Sequence, residues 1–349
     1  MRLRQRPVDA EHPRRLPIRL GAVSFVALLA GAPLVAQRPH PCSDIEALSV
    51  PDSAVGGLSA GPHTVLMGGV RFWYCVGGTA SASQAPVVFI HGGPGEGSQH
   101  FAALTGPTLD SALQLVYFDQ RGSGRSERPW TRDYAISTLV DDIERLRENL
   151  GVDRISLIAH SFGGMLALEY AAAHPRRVER MVLVSALSDV AASTRSVCAR
   201  LATIDAEAYA RATADTLPGG LCNPFAAYSG AAREAFDRAS MFPDTSVATV
   251  VATADARGGL RNTGEMSRAL FNMPNVFSTR FTKYDRVTAP VLVVAGREDY
   301  QIGLAPQQEL AEHLPNGRLL VIQNAGHFPH VDAPAVFARA VIGFFREEH

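Results

Sequence analysis

Apolar positions along the chain follow two periods, and the points where one gives way to the other outline the architecture. Mostly apolar runs at 63–67, 70–76, 87–90 and 113–118 have strand length, and Gly68-Gly69 between the first two is a hairpin signal. The period then becomes helical. Leu139, Ile143, Leu146 and Leu150 recur on one face, and Thr138 with Asp141 forms an N-terminal capping pattern. A strand at 154–159, an apolar helix at 161–173 stopped by His174-Pro175, and a strand at 181–184 follow. Residues 188–283 break the rhythm; they are rich in Ala, Arg, Asp and Thr and contain helix-like pieces without buried strands. Alternation resumes with a strand at 290–295, a helix at 305–314, a strand at 318–322 and an amphipathic helix at 334–345.

This order predicts an α/β fold: a mostly parallel sheet covered on both faces, with an opening antiparallel hairpin and a helical cap inserted at 188–283. The core is expected at 61–187 and 284–349, preceded by a loose lead-in over 37–60 that is rich in Pro, Ser, Gly and Ala.

Composition narrows the class. The chain has 349 residues, 46% hydrophobic and 19% charged, which fits a globular protein with a full-sized core. A formal net charge of −1 offers nothing to nucleic acid. Residues 1–36 differ from the rest: six arginines stand against Asp9 and Glu11, and an uncharged stretch from Gly21 ends in Leu34-Val35-Ala36. That pattern predicts a cleaved signal peptide and an exported protein, periplasmic or extracellular. The uncharged stretch contains Pro33 and is short for a membrane span, so no stable membrane insertion is expected after cleavage; a retained anchor is the alternative.

Cys42, Cys75, Cys198 and Cys222 permit two disulfides in an exported chain. Local pairing, Cys42–Cys75 and Cys198–Cys222, is preferred, with free buried thiols as the alternative. No CxxC or His/Cys ligand spacing is present, and no metal is expected.

The chemistry centres on Ser161. A strand ends at Ala159 and a helix begins after the serine, so Ala159-His160-Ser161-Phe162-Gly163 reads as a G-x-S-x-G elbow with alanine at its first position. A serine there is lifted clear of the sheet at a helix N-terminus, where the dipole favours developing negative charge. Its hydroxyl needs a base, and the base an orienting acid, in the chain order Ser, acid, His. His327, in a loop after the last strand, is the expected base, ahead of His330. Asp299, at the carboxyl end of the strand at 290–295, is the expected acid, ahead of Glu298 and Asp189. The glycine loop His91-Gly92-Gly93-Pro94-Gly95 follows the strand at 87–90. Its Gly93 N–H and that of Phe162 are the expected oxyanion donors, with His91 ordering the loop.

Three segments together resemble proline iminopeptidases: HGGPG at 91–95, DQRGSGRS at 119–126 and TLVDDIERLR at 138–147. These are α/β-hydrolase-fold serine aminopeptidases that remove N-terminal residues, proline above all. The resemblance spans about 61–187 and 284–349. It implies the α/β-hydrolase fold, a Ser161/His327/Asp299 acyl-enzyme mechanism without a cofactor, and short peptides or amino-acid amides as substrates. Asp119-Gln120-Arg121 is expected to brace the loop carrying Gly93. Phe162 stands where the family usually has tryptophan, and the cap's glutamates are Glu207, Glu234 and Glu265. Glu96, directly after the glycine loop, is the candidate partner for a substrate amino group. A carboxylesterase of small esters and a catalytically inactive binding protein are the alternatives.

Overall fold

Eight strands form one sheet in the spatial order β1-β2-β4-β3-β5-β6-β7-β8. The computed structural model describes residues 40–43, 57–80, 84–258, 264–273 and 275–347. The expected signal peptide and most of the lead-in lie outside the described residues. β1 (Gly61–Met67) and β2 (Val70–Gly77) make the opening hairpin, and β2 is antiparallel to β4 (Leu115–Asp119). β3 (Val87–Ile90), β5 (Ile155–His160), β6 (Val178–Val184), β7 (Val291–Gly296) and β8 (Gly317–Ile322) complete the sheet in parallel. The expected strands all form, with small shifts at their ends.

Strand alternation explains why both faces need cover. Val88, Ile90, Leu157 and Ala159 point into one core, shared with α3 (Ile136–Asn149), α4 (Phe162–Ala173) and α10 (Leu304–His313). Val87, Phe89 and Ile158 point into the other, shared with α1 (Gln99–Leu104) and α12 (Pro334–Arg346). Such continuous apolar strands are stable only when sandwiched. The short helices α2 (Gly106–Leu109) and α11 (Pro329–Asp332) complete this part of the chain.

Between β6 and β7 the chain runs through α5 (Val190–Ile204), α6 (Ala206–Ala214), α7 (Gly230–Met241), α8 (Thr245–Arg257) and α9 (Glu265–Phe271). An antiparallel bridge between Asp189 and Arg280 joins the ends of this insertion. Part of it has a small core of its own, Val197, Leu201, Ala208 and Phe236. Both disulfides take the local pairing. Cys42–Cys75 ties the segment at 40–43 to β2, and Cys198–Cys222 closes a loop between α5 and the chain ahead of α7.

Strand order also locates the functional end of the sheet. β3 has β4 on one side and β5 on the other, so chain direction across the sheet reverses at the β3/β5 pair. In open α/β sheets, ligands bind beyond the carboxyl ends of strands at such a switch point. The Gly92–Gly95 loop leaves β3 there, and Ser161 leaves β5.

Replacing Cys198 and Cys222 together by alanine should destabilise the protein by about 2–4 kcal/mol, because the cross-link restricts the unfolded chain. The measure is the guanidinium unfolding midpoint. An unchanged midpoint would mean that the Val197–Phe236 core holds this loop unaided.

Candidate active site

Ser161 sits between β5 and α4 with φ +53° and ψ −123°, a conformation that non-glycine residues avoid and that costs roughly 1–3 kcal/mol. Its backbone is held on both sides. The Ser161 N–H donates to the Val184 carbonyl at 3.0 Å, and its own carbonyl accepts from the N–H groups of Gly164 (2.9 Å) and Leu187 (2.8 Å). The turn is possible because its neighbours are small. A Cβ on Gly163 would lie 2.4 Å from the Ile90 carbonyl oxygen, and Ala159 in the first motif position is fully buried.

The structure brings the three residues expected to form a triad into one chain of hydrogen bonds. His327 Nε2 lies 3.0 Å from Ser161 Oγ, and His327 Nδ1 lies 3.1 Å from Asp299 Oδ2. The other carboxylate oxygen, Oδ1, accepts the backbone N–H groups of Gln301 and Ile302, each at 3.0 Å. Since Asp299 accepts, the Nδ1 proton is fixed on its side and the Nε2 lone pair faces the serine hydroxyl. This arrangement is able to remove the hydroxyl proton and to stabilise the imidazolium that results.

The loops carrying Asp299 and His327 are anchored by the insertion, a role with no signal in the residue pattern. The Met241 carbonyl at the end of α7 accepts the His327 N–H at 2.7 Å, and the Ser240 carbonyl accepts that of Tyr300 at 3.0 Å. These are backbone contacts with no side-chain signature. The competing candidates are placed elsewhere. His330 is fully buried with neither ring nitrogen bonded, packed among Phe101, Phe328 and Phe337. Asp189 caps α5 by accepting the Ala192 N–H at 2.8 Å.

The glycine loop packs tightly on the serine: a Cβ on Gly92 would come within 2.8 Å of Ser161 Cβ. Gly93 has φ +112°, a conformation open to glycine, and lines the same cavity as Ser161 and Phe162. His91 orders this loop. Its Nε2 accepts the Gln120 N–H at 3.1 Å, which leaves Nδ1–H to donate to the Gly92 carbonyl at 2.9 Å. Burial pushes the His91 pKa down and keeps the ring neutral. The Gln120 side chain donates to the His91 carbonyl at 2.8 Å, while Asp119 accepts from Ser98 (N–H and hydroxyl, 2.7 Å each) and from the Arg125 N–H (2.9 Å). Arg121 forks onto Asp142 of α3 at 2.5 and 2.7 Å. The motif at 119–126 thus braces the glycine loop from behind.

Ser161 opens on a cavity of 340 Å³ roofed by the insertion. Its walls include Met165, Val190, Val197, Phe271 and Phe277, and the charged residues among the described lining are Arg233 and Asp237 of α7. Arg233 Nε donates to both oxygens of Asp237, at 2.8 and 2.7 Å, and its guanidinium lies 4.7 Å over the Phe225 ring. Neither residue stood out in the sequence, where an Arg and an Asp four apart on a helix read as a solvated pair. Glu96 is not among the lining residues. Its Oε2 is buried without a hydrogen-bond partner, near His100 and His160.

Comparison with known proteins places the chain in a family. The family model described as the alpha/beta hydrolase fold matches residues 85–334. A proline iminopeptidase of Lactobacillus delbrueckii subsp. lactis is 27% identical over 270 residues, covering 76% of this chain and 91% of the relative. A putative carbamate hydrolase of Caulobacter sp. (strain K31) is 30% identical over 282 residues, covering 78% and 94%. Among solved structures, a proline iminopeptidase-related protein of Thermus thermophilus superposes with a TM-score of 0.65. It has 23% identity and covers 82% of this chain and 96% of that one, a likeness of fold. A sheet that switches direction at β3/β5, with a strained serine at that point, is thus accompanied by a family match over most of the chain, and the protein belongs to the α/β-hydrolase fold family.

Proposed function

We propose that this hydrolase is a serine aminopeptidase that releases apolar N-terminal residues, proline above all, from short peptides or amino-acid amides. The observation that carries the reading is the hydrogen-bonded chain Asp299–His327–Ser161 opening on an apolar cavity. Ser161 Oγ attacks the substrate carbonyl as His327 Nε2 takes its proton, and Asp299 stabilises the imidazolium. The N–H groups of Gly93 and Phe162 receive the oxyanion. His327 returns the proton to the leaving amine, and water then releases the acyl group by the same steps in reverse order. The apolar walls suit a proline or aliphatic side chain, and Asp237 is the carboxylate on the described lining that would meet the ammonium group.

A second reading, a carboxylesterase of small esters, draws on one specific observation. Arg233 already engages both oxygens of Asp237, which leaves no unpaired anion among the described lining residues.

Ser161→Ala should lower kcat by about 10⁵–10⁶-fold and abolish labelling by a fluorophosphonate probe; Asp299→Asn should lower kcat by about 10⁴-fold. Labelling that survives Ser161→Ala would remove the serine from the mechanism. A wild-type chain that takes no label would point to a binding protein.

The two substrate readings separate on a panel of Pro-, Ala- and Leu-naphthylamides beside p-nitrophenyl acetate and butyrate. Asp237→Asn should raise KM for the naphthylamides by roughly 10–100-fold, the value of a charged hydrogen bond, and leave the esters within about 2-fold. Equal losses on both, or ester turnover alone, would favour the esterase.

We further propose that the protein is exported. The basic and then uncharged segment at 1–36 supports this, as do two disulfides, which persist in oxidising compartments. N-terminal sequencing of the exported fraction should find a chain starting near residue 37; a chain starting at Met1 there would rule out cleavage.

A further inference from the structure

Close to the glycine loop, but not among the residues that line the cavity, three side chains from three elements converge. Glu96 comes from the loop itself, His100 from α1 and His160 from the end of β5. One ligand-capable atom of each lies within 4.8 Å of those of the other two. None of these groups is spent on the others: Glu96 Oε2, His100 Nε2 and His160 Nδ1 are all buried without a hydrogen-bond partner. A buried polar atom that nothing meets is costly, so three together call for a common occupant.

The remaining bonds of the two imidazoles decide what that occupant is. His160 Nε2 lies 2.9 Å from the His327 carbonyl, which has no proton to give, so His160 carries its proton on Nε2 and turns the Nδ1 lone pair inward. His100 Nδ1 lies 3.2 Å from Asp255 Oδ1 on α8, so the lone pair of its neutral form is on Nε2, again inward. A carboxylate or carbonyl behind each histidine, fixing its tautomer and leaving the lone pair of the other nitrogen free, matches the outer shell of a metal site. Glu96 adds a carboxyl oxygen. His330 stacks on His100 with ring centres 5.8 Å apart and stands edge-on to His160 at 5.3 Å; it walls the cluster without belonging to it.

We propose that Glu96, His100 and His160 form a buried site for a first-row divalent cation of the zinc class, although no ligand spacing in the sequence announced one. Two imidazole nitrogens and one carboxylate oxygen suit zinc and its neighbours, whereas calcium and magnesium prefer all-oxygen sites. Tetrahedral ligands at zinc bond lengths stand about 3.4 Å apart, so ligand atoms within 4.8 Å of one another draw together by up to about 1.4 Å on binding. Glu96 is half-buried and lies on a loop, and it makes most of that movement. The bound ion joins the glycine loop to β5 directly, and to the His327 loop and α8 through the outer shell. It is a clamp on the positions of Gly93 and His327 rather than a participant in acyl transfer. Residue spacing hid the site, since the ligands lie 4 and 60 residues apart and the Asp255 contact spans 155.

The inference does not depend on Ser161 being the nucleophile, and its test uses the full chain carrying Ser161→Ala beside the unmodified protein. Metal-stripped protein should take up one equivalent of zinc, and cobalt(II) in its place should give the visible absorption of a nitrogen-ligated tetrahedral ion. Zinc at about 100 times Kd should raise Tm by roughly 3–6 °C, in both proteins alike. Glu96→Gln and His100→Asn should lose the uptake and the Tm shift. Should either variant fail to fold, Asp255→Asn keeps all three ligands and should weaken zinc binding about 10–100-fold. Absence of uptake, uptake unchanged in Glu96→Gln and His100→Asn, or a preference for calcium or magnesium would overturn the proposal.

Discussion

Everything at the site depends on how closely the first turn of α4 lies against the end of β3. The Ile90 carbonyl comes so near Gly163 that no side chain fits between them. The same approach presses the glycine loop against Ser161 and forces the serine into its strained conformation. Strain of this kind persists only where the surroundings over-determine it, and here three backbone hydrogen bonds to the serine do so. Remove the close approach and the hydroxyl would turn back towards the helix, away from His327.

The core positions of this arrangement were readable from residue order. Strand periodicity located the ends of β3, β5 and β7, and each carries one element of the proposed chemistry within a few residues: Gly93, Ser161 and Asp299. His327 was readable because a loop after β8 is the remaining place on that edge for a base. Such positions are legible because the fold constrains short stretches of chain at strand ends.

What could not be read involves long-range convergence. Arg233 and Asp237 reach the cavity because α7 folds back over the sheet, and nothing in their local pattern differs from a surface pair. Glu96 was expected to meet substrate because it follows the glycine loop. In the structure it is not among the residues lining the cavity, and its carboxylate gathers with histidines contributed by α1 and β5. A loop that turns sharply on Gly93 can aim adjacent side chains in opposite directions, and residue spacing does not report which way each one points.

The two carbonyls at the end of α7 have a consequence for turnover. Ser240 and Met241 hold the loops of the proposed acid and base, while Arg233 and Asp237, one to two turns earlier, stand in the substrate cavity. One helix therefore lines the cavity with its middle residues and holds the loops of the proposed acid and base at its end. If α7 lifts to admit a substrate, His327 and Asp299 lose their alignment during entry and recover it only on closure. Opening and proton transfer are then mutually exclusive, which confines acyl transfer to the closed arrangement.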